Sequence, residues 1–303
     1  MTPTPCKRCG SRSKAANGAC LPCKRTNDRN RARANRPRST AGERGRKHGV
    51  IPDLQSKPGV PINHCYWIAY YFMDKQVDVI RLMGDVYDLP SLSSYDKRGS
   101  KSVEGRRLAA DMDAGHRALE IFATIWAKHG YEPELHVSLG NHENRLARAI
   151  NEHPHLLDGV VSDFKFKEFG WTVHPFLEPD TVDGIRYCHY FPQSASGAVT
   201  QTKRGAPSAR AQLQRQMCSS TAGHQQGLDV AVIPTTDGLQ RGLIAGSCYL
   251  HDEDYMGPLN NYWRGIILKH NVRDGNYNLC EVDLGYLESK YRRLEPANGR
   301  KVA

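Results

Sequence analysis

From Val50 onward, apolar and polar positions follow regular periods, and before it they do not. Val50-Ile51 is a short apolar strand end that runs into Pro52-Asp53. Residues 66–73 are dense in aromatic and aliphatic side chains, and Asn63 can cap a buried helix reaching about Gln76. Residues 77–83 (VDVIRLM) are rich in β-branched residues and predict a strand that stops at Gly84-Asp85. From Glu104 to about Lys128, Leu108, Met112, Leu119, Phe122 and Ile125 recur on one face of a long helix that Gly130 ends. Residues 134–139 (ELHVSL) predict a third strand, stopping at Gly140-Asn141. Two further strands end at histidines, 185–189 at His189 and 219–224 at Gly223-His224. After these, segments 230–233, 243–249, 263–269 and 277–284 predict β-structure, with Asp274-Gly275 as a hairpin turn.

Three strand, polar turn and helix units in succession imply a sheet with helical crossovers, whose ligands gather at the strand C-termini. The chain of 303 residues is long enough for one large domain and an appendage. Composition divides it into residues 1–25, a basic linker 26–48, a globular body 49–290 and a polar tail 291–303. The last six residues of that tail are expected to fray. The apolar run at residues 66–73 falls far short of the roughly 18 residues of a membrane span. With no apolar stretch near Met1, a cytoplasmic protein without a secretory signal is expected.

Charge sharpens the division. Residues 1–48 hold 14 of the 42 Lys+Arg but only Asp28 and Glu43 of the 32 acids, so a basic arm precedes a nearly neutral body. Arms of this kind meet phosphate-rich partners, because neutralised phosphates release counterions, and nucleic acid is the partner expected here. Oligomeric state has no sequence signal.

Nine cysteines, an odd number, argue for a reducing compartment rather than a disulfide framework. Four cluster as Cys6-Lys-Arg-Cys9 and Cys20-Leu-Pro-Cys23, and that doubled spacing lets four thiolates converge on one structural Zn²⁺. So short a module would need the metal to fold. The other five (Cys65, Cys188, Cys218, Cys248, Cys280) read as small apolar residues.

The strand ends carry the chemistry. Asp53 follows the first strand, Asp85 and Asp88 the second, Asn141 and His142 the third, and His189 and His224 close two more. A lone Asp or His at such a place is usually a turn former. Five ends that all bear oxygen or imidazole donors supply enough ligands for two divalent metals. The remaining histidines His64, His116 and His136 read as packing or surface residues, and His153 and His155, which flank Pro154, as loop residues without an assigned role.

Asp53-Leu-Gln55, Gly84-Asp85-Val-Tyr-Asp88, Gly140-Asn141-His142-Glu143, His189 and Gly223-His224-Gln-Gln226 together resemble the five motifs of the calcineurin-like metallophosphoesterase superfamily, over about residues 49–290. The body is similar to a tailed-phage branch of it, which would place the protein in a host cytoplasm. The resemblance implies an α/β sandwich of two packed mixed sheets flanked by helices. It implies that Asp85 bridges two metals, that Asn141, His189 and His224 complete one site, and that Asp53, Gln55 and Gln226 hold the other. It also implies that His142 protonates the leaving oxygen, that Asp88 orients His142, and that a hydroxide bridging the metals attacks the phosphorus. Arg145 would reach a phosphate oxygen or pair at the surface.

The sequence departs from the superfamily pattern at Gln55 and Gln226, where the family has His. Amide oxygens are harder and weaker donors, so the first site should favour Mn²⁺ or Mg²⁺ over Zn²⁺. The activity expected is that of a two-metal phosphodiesterase, a nuclease. The alternatives are a phosphomonoesterase acting on phosphoprotein or nucleotide, and a catalytically weak nucleic-acid-binding protein. Access to the site would depend on residues 89–106 and 192–207.

Overall fold

The computed structural model describes residues 44–94, 101–159, 164–192, 207–236, 238–253 and 262–296. The four cysteines of the zinc module and the basic arm to residue 43 lie outside the described residues. Eleven strands form two mixed sheets, so the fold is α/β, as the sequence predicts.

The first sheet has six strands in the order β11-β10-β1-β2-β3-β4. These are β1 (Arg46–Ile51), β2 (Val79–Leu82), β3 (Glu134–Ser138), β4 (Thr172–His174), β10 (Gly265–Arg273) and β11 (Asn276–Asp283). β1 to β4 run parallel, and β10 joins β1 antiparallel. The second sheet, β5-β6-β7-β9-β8, uses β5 (Asp180–Val182), β6 (Ile185–Tyr187), β7 (Ser220–Ala222), β8 (Leu228–Thr235) and β9 (Gly238–Ala245). The crossovers are α1 (His64–Lys75) and α2 (Leu108–Lys128); α3 (Glu143–Glu152), α4 (Pro154–Leu157), α5 (Ala209–Gln216) and α6 (Leu284–Tyr291) complete the helices.

Strand alternation explains the layering. Ile51, Ile266 and Leu268 face α1, α2 and α6, where Phe72, Phe122, Trp126 and Leu287 are buried. Their neighbours Val50 and Ile267 point the other way, onto Tyr187, Leu243 and Ala245 of the second sheet. Ala209 and Leu213 of α5 pack on Ile244 and Ala231 at that sheet's outer face. Among the described residues no helix is long and apolar enough to cross a membrane.

Several boundaries move. Arg46 to His48, assigned to the linker by composition, belong to β1, where a backbone ladder to β2 and β10 outweighs their charge. Asn63 does not cap α1: its backbone is already helical, and its amide donates instead to Glu295 at 2.7 Å. Glu295 also accepts from Trp67 Nε1 at 2.6 Å, so the start of the polar tail is docked on α1. The Asp274-Gly275 turn has positive φ at both residues, 48° and 79°, the conformation a two-residue hairpin requires.

Candidate metal centre

Five strand ends converge. Asp53 follows β1, Asp85 follows β2 and Asn141 follows β3 in one sheet; His189 follows β6 and His224 follows β7 in the other. Asp85 lies at the middle. Its Oδ1 accepts from the His142 backbone N–H at 2.9 Å, and its Oδ2 lies 3.3 Å from His189 Nε2 and 3.8 Å from His142 Nε2. Its carbonyl accepts from the Gln55 N–H at 2.8 Å, which ties the first strand's loop to the second's.

Among the described residues, positive backbone φ angles cluster here. Gln55, Asp85, His224 and Gln226 all have positive φ, between 42° and 69°, at a cost of about 1 kcal/mol each that the surrounding contacts must offset. Gly84 (φ 89°) and Gly140 make the close approach possible: a Cβ on Gly84 would sit 2.7 Å from His189 Nδ1, and one on Gly140 would overlap the Asp85 carboxylate.

The donor atoms fit cations. His189 donates from Nδ1 to the Met83 carbonyl at 2.6 Å, and its Nε2 faces two acceptor oxygens, Asp85 Oδ2 at 3.3 Å and Asn141 Oδ1 at 3.0 Å; a cation among these atoms would be met by the Nε2 lone pair of the neutral ring. Asp85, His189 and His224 place their ligand atoms within 4.8 Å of one another. Asp53 accepts at Oδ1 from the His224 N–H at 3.0 Å, whereas its Oδ2 and both amide atoms of Gln55 are buried without a hydrogen bond. Orphaned buried acceptors are costly unless a ligand meets them. Gln226 is placed differently: its Oε1 accepts from the Tyr249 hydroxyl at 2.5 Å, leaving one lone pair for any metal.

Burial and the mutual closeness of these groups shift their pKa values in opposite directions. Burial, reinforced by Asp85, pushes the Asp53 carboxyl up to about 7. Burial alone would depress His189, but Asp85 and Asp53 raise it to about 9. His224 falls to about 4, through burial and the neighbouring His189. Asp85, although buried, is held below the usual carboxylate range by His142 and His189.

His142 sits beside these groups. Its Nδ1 lies 2.9 Å from Asp88 Oδ1, an ion-pair distance whose angle falls short of a hydrogen bond, and its Nε2 lies 3.0 Å from Arg145 Nη2. Burial lowers the imidazole's pKa, but Asp85 and Asp88 more than offset this, and it ends raised. Arg145 departs from expectation. Its guanidinium is buried and donates to the Asp88 carbonyl at 2.8 Å as well as meeting His142, so it positions the loop and the imidazole rather than facing outward.

Three residues have no role in the sequence reading. The Glu143 carboxylate is buried and accepts four backbone N–H groups: Asp85 (2.9 Å) and Gly140 (2.8 Å) at Oε2, Val86 (2.7 Å) and Tyr87 (3.0 Å) at Oε1. It therefore builds the turn that carries Asp85. Lys57 lies 3.5 Å from Asp88 Oδ2 and donates to Glu253 at 2.8 Å. Only the position of Glu143 inside the Gly-Asn-His-Glu motif could have signalled this; Lys57 and Glu253 are 196 residues apart and carry no local signal. His153 lies between α3 and α4 and is half-buried, and His155, in α4, is exposed.

The chain matches no family profile and no curated protein. Among solved structures it is similar to Yfce, a phosphoesterase from E. coli, at 9% identity and TM-score 0.35, over 78% of this chain and 100% of that one. It is also similar to a dimetal phosphatase from Danio rerio, at 9% identity and TM-score 0.38, over 80% of this chain and 97% of that one. Both superpositions are loose, and the chemistry of the site rests on its own geometry.

Proposed function

We propose that the chain is a two-metal-dependent phosphoesterase that hydrolyses phosphodiester bonds of nucleic acid. The observation that carries this reading is the convergence of Asp85, His189, His224 and Asn141 beside the orphaned Asp53 and Gln55, with a charged-pair imidazole, His142, at the edge. When bound, two divalent cations supply Lewis acidity toward a phosphoryl oxygen and lower the pKa of a water. Asp85, Asn141, His189 and His224 would hold one; Asp53, Gln55 and Asp85 would hold the other, with Gln226 sharing its oxygen with Tyr249. Oxygen-rich coordination at the second of these favours Mn²⁺ or Mg²⁺.

The chain's own groups manage the proton. Asp88 lies against His142 Nδ1, and Asp85 and Asp88 raise the imidazole's pKa. Arg145 donates to Nε2, which therefore offers a lone pair in this arrangement; a substrate that displaces the guanidinium would free Nε2 to take up a proton and pass it to the leaving oxygen as negative charge develops there. Nucleic acid is favoured as substrate by the basic arm, whose 14 Lys+Arg precede a body with slightly more acids than bases.

The test is hydrolysis by the full-length protein with Mn²⁺, offered plasmid, single-stranded DNA, RNA and p-nitrophenyl phosphate. Cleavage of a polynucleotide is expected, abolished in Asp85→Asn and His142→Ala, with metal content falling only in Asp85→Asn. Turnover of the monoester alone would make the protein a phosphomonoesterase, and full activity of His142→Ala would remove its assignment as the acid.

A further inference from the structure

Several aromatic rings at the centre are closed off from solvent. Tyr87 between Asp85 and Asp88, Tyr187 before His189 and Tyr249 against Gln226 are fully buried. Tyr190 and Phe176 are only half-buried, and Tyr190 adjoins two of the metal-ligand candidates. We infer that Tyr190, propped by Phe176, is the platform on which a nucleobase beside the scissile phosphate stacks. This rests on the proposed action on nucleic acid and names how that substrate is held.

The chain fixes the ring through its backbone. Tyr190 follows His189 past the end of β6. There the Cys188 N–H donates to the Thr221 carbonyl at 3.3 Å, and the His189 carbonyl accepts from the Gly223 N–H at 2.9 Å. The Cys188 thiol donates to the Tyr190 carbonyl at 3.1 Å. Residues 188–190 are thereby tied to β7 and to one another, which sets where the phenol projects.

Neighbouring rings set its plane. The Tyr190 centroid lies 4.6 Å from that of His224, tilted by 39°, and 5.6 Å from that of His189. Phe176, two residues past β4 in the other sheet, meets it edge to face at 5.6 Å and 81°. Edge-to-face pairs are favoured by the ring quadrupoles and hold a ring in place. The phenol nevertheless keeps part of its surface exposed.

Position then selects the ligand. A group resting on Tyr190 lies against the rings of His189 and His224, so it belongs to the residue next to a phosphate held at the centre. In a polynucleotide that group is a base, which has a flat face to offer; the side chain of a phosphoserine has none. Stacking accepts any base and reads no sequence, and contacts from the basic arm to phosphates read none either. A tyrosine kept only to support a ligand would follow Tyr249, which holds Gln226 and is fully buried.

The test uses an oligonucleotide with one phosphodiester among phosphorothioate linkages, cleaved by the full-length protein with Mn²⁺. The nucleoside on each side of that bond is made abasic in turn. With the unaltered chain, one of the two abasic strands should show a KM about 10-fold higher than the intact strand, at similar kcat. Tyr190→Ala should raise KM on the intact strand by the same factor and no longer distinguish it from that abasic strand. Tyr190→Phe should behave as the unaltered chain. A ring that only supports His224 gives another pattern: Tyr190→Ala lowers kcat on intact and abasic strands alike and raises the metal concentration needed for activation. That pattern, or an unchanged KM in Tyr190→Ala, overturns the proposal. Should Tyr190→Ala fail to fold, equal KM values of the unaltered chain on all three strands overturn it without a variant. If the unaltered chain cleaves no strand at all, the phosphodiesterase reading itself falls, and the platform with it.

Discussion

Replacing Glu143 by glutamine removes one oxygen from a carboxylate that holds four backbone N–H groups, two at each oxygen. The amide keeps two of these bonds and turns an NH₂ toward the other two donors. Hydrogen bonds to a charged group contribute about 1.5–3 kcal/mol each, so the loop loses roughly 3–6 kcal/mol of local support. Two factors reduce the global cost. Burial and Asp85 already raise the Glu143 pKa, so the wild-type carboxylate is itself under strain. Relaxation of Asp85 from φ 49° also returns about 1 kcal/mol. A net destabilisation of about 2–4 kcal/mol is expected in urea unfolding. The larger effect should fall on the centre, since Asp85 would move with its turn and a shift near 1 Å can cost ~10²-fold in rate. Equilibrium unfolding and metal titration, with hydrolysis measured in parallel, follow both. Stability within about 0.5 kcal/mol of wild type, with unchanged metal affinity, would refute the reasoning that this carboxylate builds the Asp85 turn.

Three further outcomes can be measured. Burial, aided by His251, lowers His64 to about 3. The unfolded imidazole takes its proton near 6.5 and the folded one near 3, so this stabilisation is complete above pH 6.5 and is lost as pH falls toward 3, on the order of 4 kcal/mol in all. His64→Leu should flatten that acid limb in unfolding experiments, and an unchanged slope would show that the ring escapes burial. Gln55→His with Gln226→His should lower the metal concentration needed for activation and shift preference toward Zn²⁺; the Gln55 change should carry most of it, because only Gln55 is without a hydrogen-bond partner. Removing residues 1–43 deletes eleven Lys+Arg and two acids while sparing β1, which begins at Arg46. Oligonucleotide binding should weaken and its salt dependence flatten, and identical salt titrations would leave the arm without a nucleic-acid role.

What could be read from sequence was whatever a local pattern encodes. β2 and β3 end in Gly84-Asp85 and Gly140-Asn141 because the chain must turn sharply at the mouth of the site, and those dipeptides mark the turns. The strand-end donors were legible for the same reason. The pairings that make the site work were not. Asp53 with the His224 N–H spans 171 residues, and His189 with Met83 spans 106. Arg145 looked like a phosphate contact because a helical turn from His142 suggests exposure, but α3 turns that face inward and buries it. Asn63 illustrates the converse: a good local cap was overridden by a distant acceptor, Glu295. His136 read as a packing or surface residue, and the structure buries it in contact with Glu134 and His174.

The division of donors between the sheets sets the order in which the centre can be assembled during synthesis. Asp53, Asp85 and Asn141 leave the ribosome early, but His189 and His224 come later, and β10 and β11, which complete the first sheet beside β1, come last. A nascent chain that has reached α4 holds three of the five strand-end donors, on a sheet without its antiparallel strands. On the proposed two-metal reading, cation capture would be a late step, and a chain ending at residue 159 should bind no stoichiometric metal at this centre. An ion bound there would then be linked to the docking of the sheets, at about 2.7 kcal/mol for a free concentration 100 times its dissociation constant. In a cell, maturation of this protein would then depend on the free metal available after release from the ribosome, and newly made chains would be more open to proteolysis than loaded ones.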